Sequence, residues 1–350
     1  MEEEKKEIQI RLVENKTETK KEEITDILKL ISPGTLLRTA IEGVQKAKTG
    51  GLIVADNDIV QNIVEGGFKI NCRFTPQKII ELGKMDGAII LSKDLKKILH
   101  ANVLLTPNNS IPSNETGTRH KAAERTAKQA NTMVIAVSQR RDEITLFYKN
   151  IKYVIRNASD IIRRANEILQ ILEKHKEVFE KNKKELDREE LEKKPKLLKA
   201  LLLIQRGVMI LKISETLKGY LIELGTEGTI LKSRLKELLY RLEKEIDNVI
   251  KDYSRFGLSK SKKILSVLSY DELLDVENIE QCLGISEEVV HPKGHRFLEM
   301  IGIPEEDGGI LVKNFKNLSS ILELKREDLI PFFEEGKILE ILEKINHIKE

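Results

Sequence analysis

Between residues 52 and 149 the chain alternates short apolar runs with longer stretches of helical periodicity. The runs "LIVAD" (52–56), "GAIIL" (87–91), "ANVLL" (101–105), "MVIAV" (133–137) and "ITLFYK" (144–149) predict strands. Helical stretches at about 76–84 and 118–131 lie between them. Upstream, "KEEITDILKLISPGTLLRTAIEGVQKAKTGG" predicts a helix, a Pro-Gly break and a second helix that stops at Gly-Gly. Mostly apolar strands alternating with helices imply an α/β domain, a mixed sheet covered on both faces.

After Asn150 the pattern changes. From about 157 to 251 Leu, Ile, Lys and Glu recur at helical spacing, interrupted by Pro195 and by the neighbourhood of Gly225 and Gly228, which predicts several long helices joined by short turns. "RANEILQILEKHKEVFEKNKKEL" (164–186) spaces its apolar residues like a bundle helix with a solvated opposite face, as a spacer or oligomerisation spine would. The last ~90 residues carry shorter helical patterns punctuated by Gly and Pro, as in "HPKGHRFLEMIGIPEEDGGILVKNF", and predict a small helical domain. The expected layout is a multidomain α/β plus all-α protein. It has a polar leader over 1–22, an α/β domain over 23–155, a helical spine over 156–264 and a small C-terminal helical domain over 265–350.

Composition adds bounds. With 350 residues, 40% hydrophobic and 33% charged, the chain can bury a sizeable core. Cys72 and Cys282 lie far apart and outside any metal-type cluster, which argues for thiols in a reducing compartment. "MEEEKKEIQI" is charged where a signal peptide would be apolar, and "ALLLI" (200–204) is far too short to span a bilayer; a cytoplasmic protein without membrane contact is expected. The net charge of +3 is unevenly spread. Residues 271–350 hold 9 Lys and Arg against 19 Asp and Glu, a net of −10, which leaves +13 on residues 1–270. The front of the molecule suits anionic ligands and the tail does not.

Three segments could carry chemistry. In "KMDGAIIL" (84–91), Asp86 and Gly87 precede a strand. They form either a tight turn or a strand-edge carboxylate that holds a divalent metal and helps activate a hydroxyl, with Gly87 admitting a ligand to the backbone. In "NETGTRHKAAERTAKQA" (114–130) a helix begins behind Gly117 with Arg119, His120 and Lys121 at its mouth. Unpaired N–H groups and the helix dipole would receive phosphate there, unless Thr118 is a simple N-cap and the cations a solvated surface. Ala123, Ala127 and Ala130 share one face and allow close packing on a sheet. After "MVIAV", Ser138, Arg140 and Arg141 form either a phosphate clamp, a subunit contact or a polar hairpin turn. Neither a Walker-type loop nor a dinucleotide glycine fingerprint occurs.

The combination of "MDGAI", "TGTRHKAAERTAKQ" and "VIAVSQRR", with "SPGTLLR" and "EGGF" upstream, resembles the diadenylate cyclase domain family. The whole-chain layout, including "LIELGTEG" in the spine, is similar to that family's DisA-type members, which monitor DNA integrity. The resemblance implies condensation of two ATP into cyclic di-AMP and two pyrophosphates with Mg²⁺ or Mn²⁺. Asp86 would be the metal ligand and catalytic carboxylate. Nucleotide contacts would come from Gly87, Ala88, Leu105, Gly117, Thr118, Arg119, His120, Lys121, Ala122, Ser138, Arg140 and Arg141. Gln139 and Lys121 stand where the family commonly has arginine.

A twofold product requires two facing sites, hence a homo-oligomer, octameric in the DisA type. The resemblance also implies a helix-hairpin-helix DNA module at the C-terminus, but "EEG" (334–336) replaces the expected glycine-rich hairpin in an acidic tail, which opposes phosphate binding. The alternatives are a DNA-binding checkpoint scaffold and a cyclic di-AMP sensor without turnover; Asp86 argues against the sensor. His175, His291, His295 and His347 show no ligand spacing and are expected to be surface or packing residues.

Overall fold

The computed structural model describes residues 23–285 and 291–347, folded into two compact units. The first takes the residues up to Arg164 together with Tyr220–Ile230; the second takes Ala165–Gly219 and everything from Leu231. The leader expected over 1–22 lies outside the described residues.

In the first unit, α1 (23–30) and α2 (Leu36–Lys46) lead into β1 (Gly51–Ala55), α3 (Asp58–Gln61), β2 (Val64–Glu65), β3 (Phe68–Arg73), α4 (Pro76–Leu82) and β4 (Ala88–Leu91). Then come β5 (Lys97–Leu105), α5 (Thr118–Ala130), β6 (Met133–Val137), β7 (Ile144–Tyr148) and β8 (Ile151–Ile155). The strands form one mixed sheet in the order β2-β5-β4-β1-β6-β7-β8, with β3 also pairing β5. Only β1 and β4 run parallel; the other pairs are antiparallel.

Period-two geometry decides which side chain faces which layer. Ile53, Ala55, Ile89, Leu91, Ile135 and Val137 pack on one face with Leu37, Ile41 and Val44 of α2 and Ile79 of α4. Leu52, Val54, Ala88, Ile90, Val134 and Ala136 pack on the other with Ala123, Ala127 and Ala130 of α5. The five expected strands form, with shifted ends. β2, β3 and β8 were not anticipated, because "FKINCR" and "IKYVI" alternate with charged or polar residues and are only partly buried.

The second unit is helical. Its long helices are α6 (Ala158–Leu191), which starts in the first unit, and α7 (Leu197–Leu224), whose last residues belong to the first unit together with a 3₁₀ turn at Gly225–Gly228 and the start of α8 (Thr229–Leu238); α9 (Leu242–Tyr253) comes next. Shorter helices follow: α10 (Leu258–Val267), α11 (Tyr270–Leu274), α12 (Val276–Leu283), α13 (His295–Met300), α14 (Glu305–Phe315), α15 (Leu318–Leu322), α16 (Arg326–Leu329) and α17 (Glu335–His347). Ala165, Leu169, Leu172, Phe179 and Leu186 form the buried stripe of α6, as its spacing predicts. No helix among the described residues is long and apolar enough to cross a membrane.

A buried ionic knot joins α6, α9 and α13. Arg296 is paired with Asp187 and donates to Glu190 at 2.7 Å, while Tyr253 Oη donates to the same carboxylate at 2.7 Å. Asp252 accepts from the backbone N–H groups of Gly294, His295 and Arg296 at 2.7–3.0 Å. Burial pushes the Glu190 carboxyl up to about 7 although Arg296 pulls it back. His295 and His175 are half-buried packing residues, the latter 3.2 Å from Arg206.

The tail differs in detail from its expected hairpin. The turn between α16 and α17 spans 330–334 and contains no glycine, while Glu335 and Gly336 already belong to α17. A second helix–turn–helix in the same domain, α13 and α14 joined by residues 301–304, places Gly302 in the turn at φ +73°.

The close seating of α5 generates a test. Ala127 is fully buried against the sheet, so Ala127→Leu should overpack that layer and cost the first unit about 2 kcal/mol. A chemical-denaturation midpoint unchanged from wild type would show that the layer has slack.

Candidate active site

β1 and β4 are parallel and each is flanked by an antiparallel neighbour, so the starts of β1 and β4 lie beside the ends of β5 and β6. The register shows this directly: Ala88 pairs with Val103, and Gly51 with Val137. At that edge opens a cavity of about 800 Å³. It is lined by Leu52, Asp86–Ala88, Asn102–Leu105, Glu115–His120, Ala122 and Ser138–Arg141. All the site residues expected from the sequence line it except Lys121, which does not. The cavity also takes in Leu52, Asn102, Val103, Leu104, Glu115, Thr116 and Gln139, of which Glu115, Thr116 and Gln139 stand inside the quoted motif segments without having been named as contacts.

Gly87 is required for a reason other than ligand access. Its φ is +104°, and an added Cβ would lie 2.9 Å from backbone atoms of Asn102 and Val103. The glycine therefore lets β4 begin against β5. Gly117 is the opposite case: an added Cβ would meet only the His120 ring, at 4.0 Å, and its φ is an ordinary −86°. Gly117, not Thr118, is the N-cap of α5, and no side chain caps that end. The first-turn N–H groups are left to other acceptors, and Thr118 is the first helical residue.

Side chains from α5 hold the preceding loop in place. Glu124 accepts from Ser113 Oγ at 2.5 Å and from the Asn114 N–H at 3.1 Å, and Lys128 joins it at 2.7 Å while donating to the Pro112 carbonyl at 2.8 Å. Arg125 donates to the Ile111 carbonyl at 3.0 Å, and Gln129 accepts from the Asn108 N–H at 2.8 Å. Burial pushes the Glu124 carboxyl up, but Lys128, Ser113 and Asn114 outweigh it and hold it below the usual glutamate value. The loop ends in Glu115, a buried carboxylate paired with Lys152 of β8.

The charged groups of the cavity are not equivalent. Asp86 is fully exposed, and its Oδ1 lies 3.3 Å from Arg119 Nη2. Burial holds the His120 imidazole below its ordinary value, more strongly than the Glu115 carboxylate raises it. Among these protein groups His120 is thus neutral near pH 7 and acts as a hydrogen-bonding or ligating nitrogen rather than a fixed cation. Its ring meets Phe147 edge to face at 6.4 Å. Arg140 and Arg141 are exposed, and the Arg141 N–H donates to Ser138 Oγ at 3.1 Å, closing the turn after β6. No group of three or more His, Cys, Asp or Glu that could hold a metal occurs among the described residues. A divalent ion at Asp86 would have to complete its shell with substrate phosphate oxygens and water, a donor set that suits Mg²⁺ or Mn²⁺.

The chain matches two family models. One describes the DisA bacterial checkpoint controller nucleotide-binding domain over residues 38–151, and the other the DisA linker region over residues 155–291. A DNA integrity scanning protein DisA from Clostridium kluyveri is 41% identical over 319 residues, covering 89% of this chain and 90% of that one. The chain belongs to the DisA family. Another DisA protein, from Acetivibrio thermocellus, is 42% identical over 321 residues, covering 89% of each chain. A solved structure described as a hypothetical membrane spanning protein from Bacillus cereus matches 35% of this chain and 62% of its own, at 23% identity and a TM-score of 0.32. As a DisA-family member carrying the diadenylate cyclase domain, the chain is a diadenylate cyclase, a nucleotidyltransferase that uses ATP as substrate. The first matched model ends at Ile151, the first residue of β8, so Lys152 and the rest of that strand lie outside it.

Removing the loop's anchor gives the second test. Glu124→Gln should cost the loop about 1–3 kcal/mol of local stability, read as lower hydrogen-exchange protection at Asn114 and Glu115. Because the folded-state value of Glu124 is depressed, its contribution is present above the unfolded glutamate pKa and lost as pH falls through the folded one. Wild type should lose the same protection in that acid range and the variant should not.

Proposed function

We propose that this cavity condenses two ATP into cyclic di-AMP and two pyrophosphates, metal-dependently, with two copies of the chain face to face. The observation that supports it most is the convergence of Asp86, the α5 mouth and the Ser138–Arg141 turn on one cavity, with Asp86 and Arg119 in contact. Thr118 and Arg119, with the free first-turn N–H groups of α5, hold the triphosphate. Leu52, Ala88 and Leu105 offer the nucleoside apolar walls. Asp86 binds Mg²⁺ or Mn²⁺, which supplies charge neutralisation and lowers the pKa of the ribose 3′-hydroxyl.

In the reaction, the 3′-oxygen of one ATP attacks the α-phosphorus of the other and the α–β bridging P–O bond breaks. The electron pair leaves with pyrophosphate, and the 3′ proton passes to Asp86 or water. The second, symmetric attack closes the ring. Because each chain offers one such cavity, the facing copy is part of the machinery, and an octamer is the assembly we favour. We place this reaction in the cytoplasm.

Incubating the protein with ATP and Mn²⁺ and separating the nucleotides tests the reading. Asp86→Asn should leave the fold and ATP affinity nearly intact and lower cyclase turnover by roughly 10²-fold or more, because a neutral amide is a poor ligand for a hard dication and a poor base. Turnover near the wild-type level would remove Asp86 from the mechanism.

A second activity, contact with DNA, fits the turn between α9 and α10 with the first turns of α10 better than the acidic tail. Arg255, Lys260 and Lys263 are exposed there, with Lys260 stacked over Phe256 at 4.1 Å, whereas the 330–334 turn offers Phe332, Phe333 and Glu334. In a salt-series titration of the full chain against a four-way junction, Lys260→Glu with Lys263→Glu should weaken binding and flatten the log–log salt slope by roughly two. Glu334→Gln with Glu335→Gln should leave the slope alone. Tighter binding by the second variant, with no change in the first, would return the DNA contact to the tail.

A further inference from the structure

We propose that Gly50 is a positioning residue for nucleotide binding, its missing side chain being the seat in which the Arg119 guanidinium lies. The proposal rests on the reading above that Arg119 holds the triphosphate.

Gly50 immediately precedes β1 and has φ +70°. An added Cβ would stand 2.2 Å from Arg119 Nη1, 3.3 Å from its Cζ and 3.3 Å from the Val137 carbonyl oxygen. The register Gly51↔Val137 sets this backbone beside the end of β6, next to Ser138 in the cavity. The arginine head therefore lies over the Gly50 backbone at the start of β1, and from there Nη2 reaches Asp86 Oδ1 at 3.3 Å.

Two facts separate this from an ordinary glycine turn. First, the atoms that an added Cβ strikes hardest are the far end of a flexible side chain, so the guanidinium gives way and the fold does not. Second, Asp86 is a poor anchor for Arg119, since an ion pair to a fully exposed carboxylate is weak and screened. What limits the arginine's many rotamers is the backbone seat. A pre-placed guanidinium loses less freedom on meeting a phosphate, which is where the gain in affinity arises.

The test is a double-mutant cycle read by calorimetric titration of a non-hydrolysable ATP analogue, with thermal melting alongside. Gly50→Ala should weaken binding about tenfold, Arg119→Ala at least as much, and the double variant no more than Arg119→Ala alone. The strain of alanine at positive φ should lower the melting temperature equally in both backgrounds.

Additive affinity losses, or wild-type affinity in Gly50→Ala while Arg119→Ala is weak, would overturn the seat. Wild-type affinity in Arg119→Ala would overturn the triphosphate reading itself, visible without any Gly50 variant, and the seat with it. Should Gly50→Ala not fold, Gly50→Asn tolerates positive φ while still filling the space. Loss of the melting transition in both would make the position a purely conformational glycine and overturn the proposal.

Discussion

The site depends on how closely α5 can approach the sheet. Ala123, Ala127 and Ala130 carry only methyl groups into the layer beneath the helix, so its axis lies near Leu52, Val54, Val134 and Ala136. That seating brings the helix mouth to the same edge as the starts of β1 and β4 and the ends of β5 and β6. A wider helix face would lift Arg119 and His120 away from Asp86. The same helix then reaches back through Glu124, Arg125, Lys128 and Gln129 to fasten the loop that enters it, so one element fixes both the position and the approach of its own N-terminal end.

Much of this was legible in the sequence, for physical reasons that can be named. The strands that carry the fold's centre are apolar on both faces because both faces are covered, and such runs stand out. The alanine spacing announced a helix packed tightly on a sheet, and the motif residues cluster because they sit at neighbouring strand ends. What escaped was of three kinds. β3 and β8 are half-exposed strands whose polar residues interrupt the continuous apolar run by which the buried strands stand out. Gly87 reads from the sequence as either a turn glycine or a point of ligand access, whereas the backbone of β5 is what demands it; only a contact across the sheet could reveal that. Leu52 lines the cavity without any local signal, since its place comes from the sheet register, and Glu115, although inside the 114–130 segment, carries no sign of its pairing to Lys152.

The C-terminal helices show a different balance. Where a phosphate-binding hairpin would expose glycine backbone, the 330–334 turn carries Pro331, Phe332 and Phe333, and Phe332 stacks edge-on against Phe315 at 6.2 Å. Meanwhile Arg296 commits its charge inward, to Asp187 and Glu190 of α6. Removing one partner from such a buried set strands the others, which makes the knot a strong tie between α13 and the long helix and a poor reserve of charge for any outside ligand.

Tyr220–Ile230 belongs to the first unit although some 55 residues of the second intervene. Thr226 Oγ1 donates to the Pro33 carbonyl at 3.2 Å, and an added Cβ at Gly34 would lie 2.3 Å from that hydroxyl oxygen, while Gly225 meets Ser32 in the same way. The two halves of this contact are "SPG" and "LGTEG". During synthesis the sheet can assemble once β8 has emerged, but the turn between α1 and α2 lacks its partner until residue 230 has left the ribosome. Chain order thus makes the first unit wait for 55 residues of the second before it is complete, and a fragment cut at the end of the sheet would leave Ser32 and Pro33 without Gly225 and Thr226.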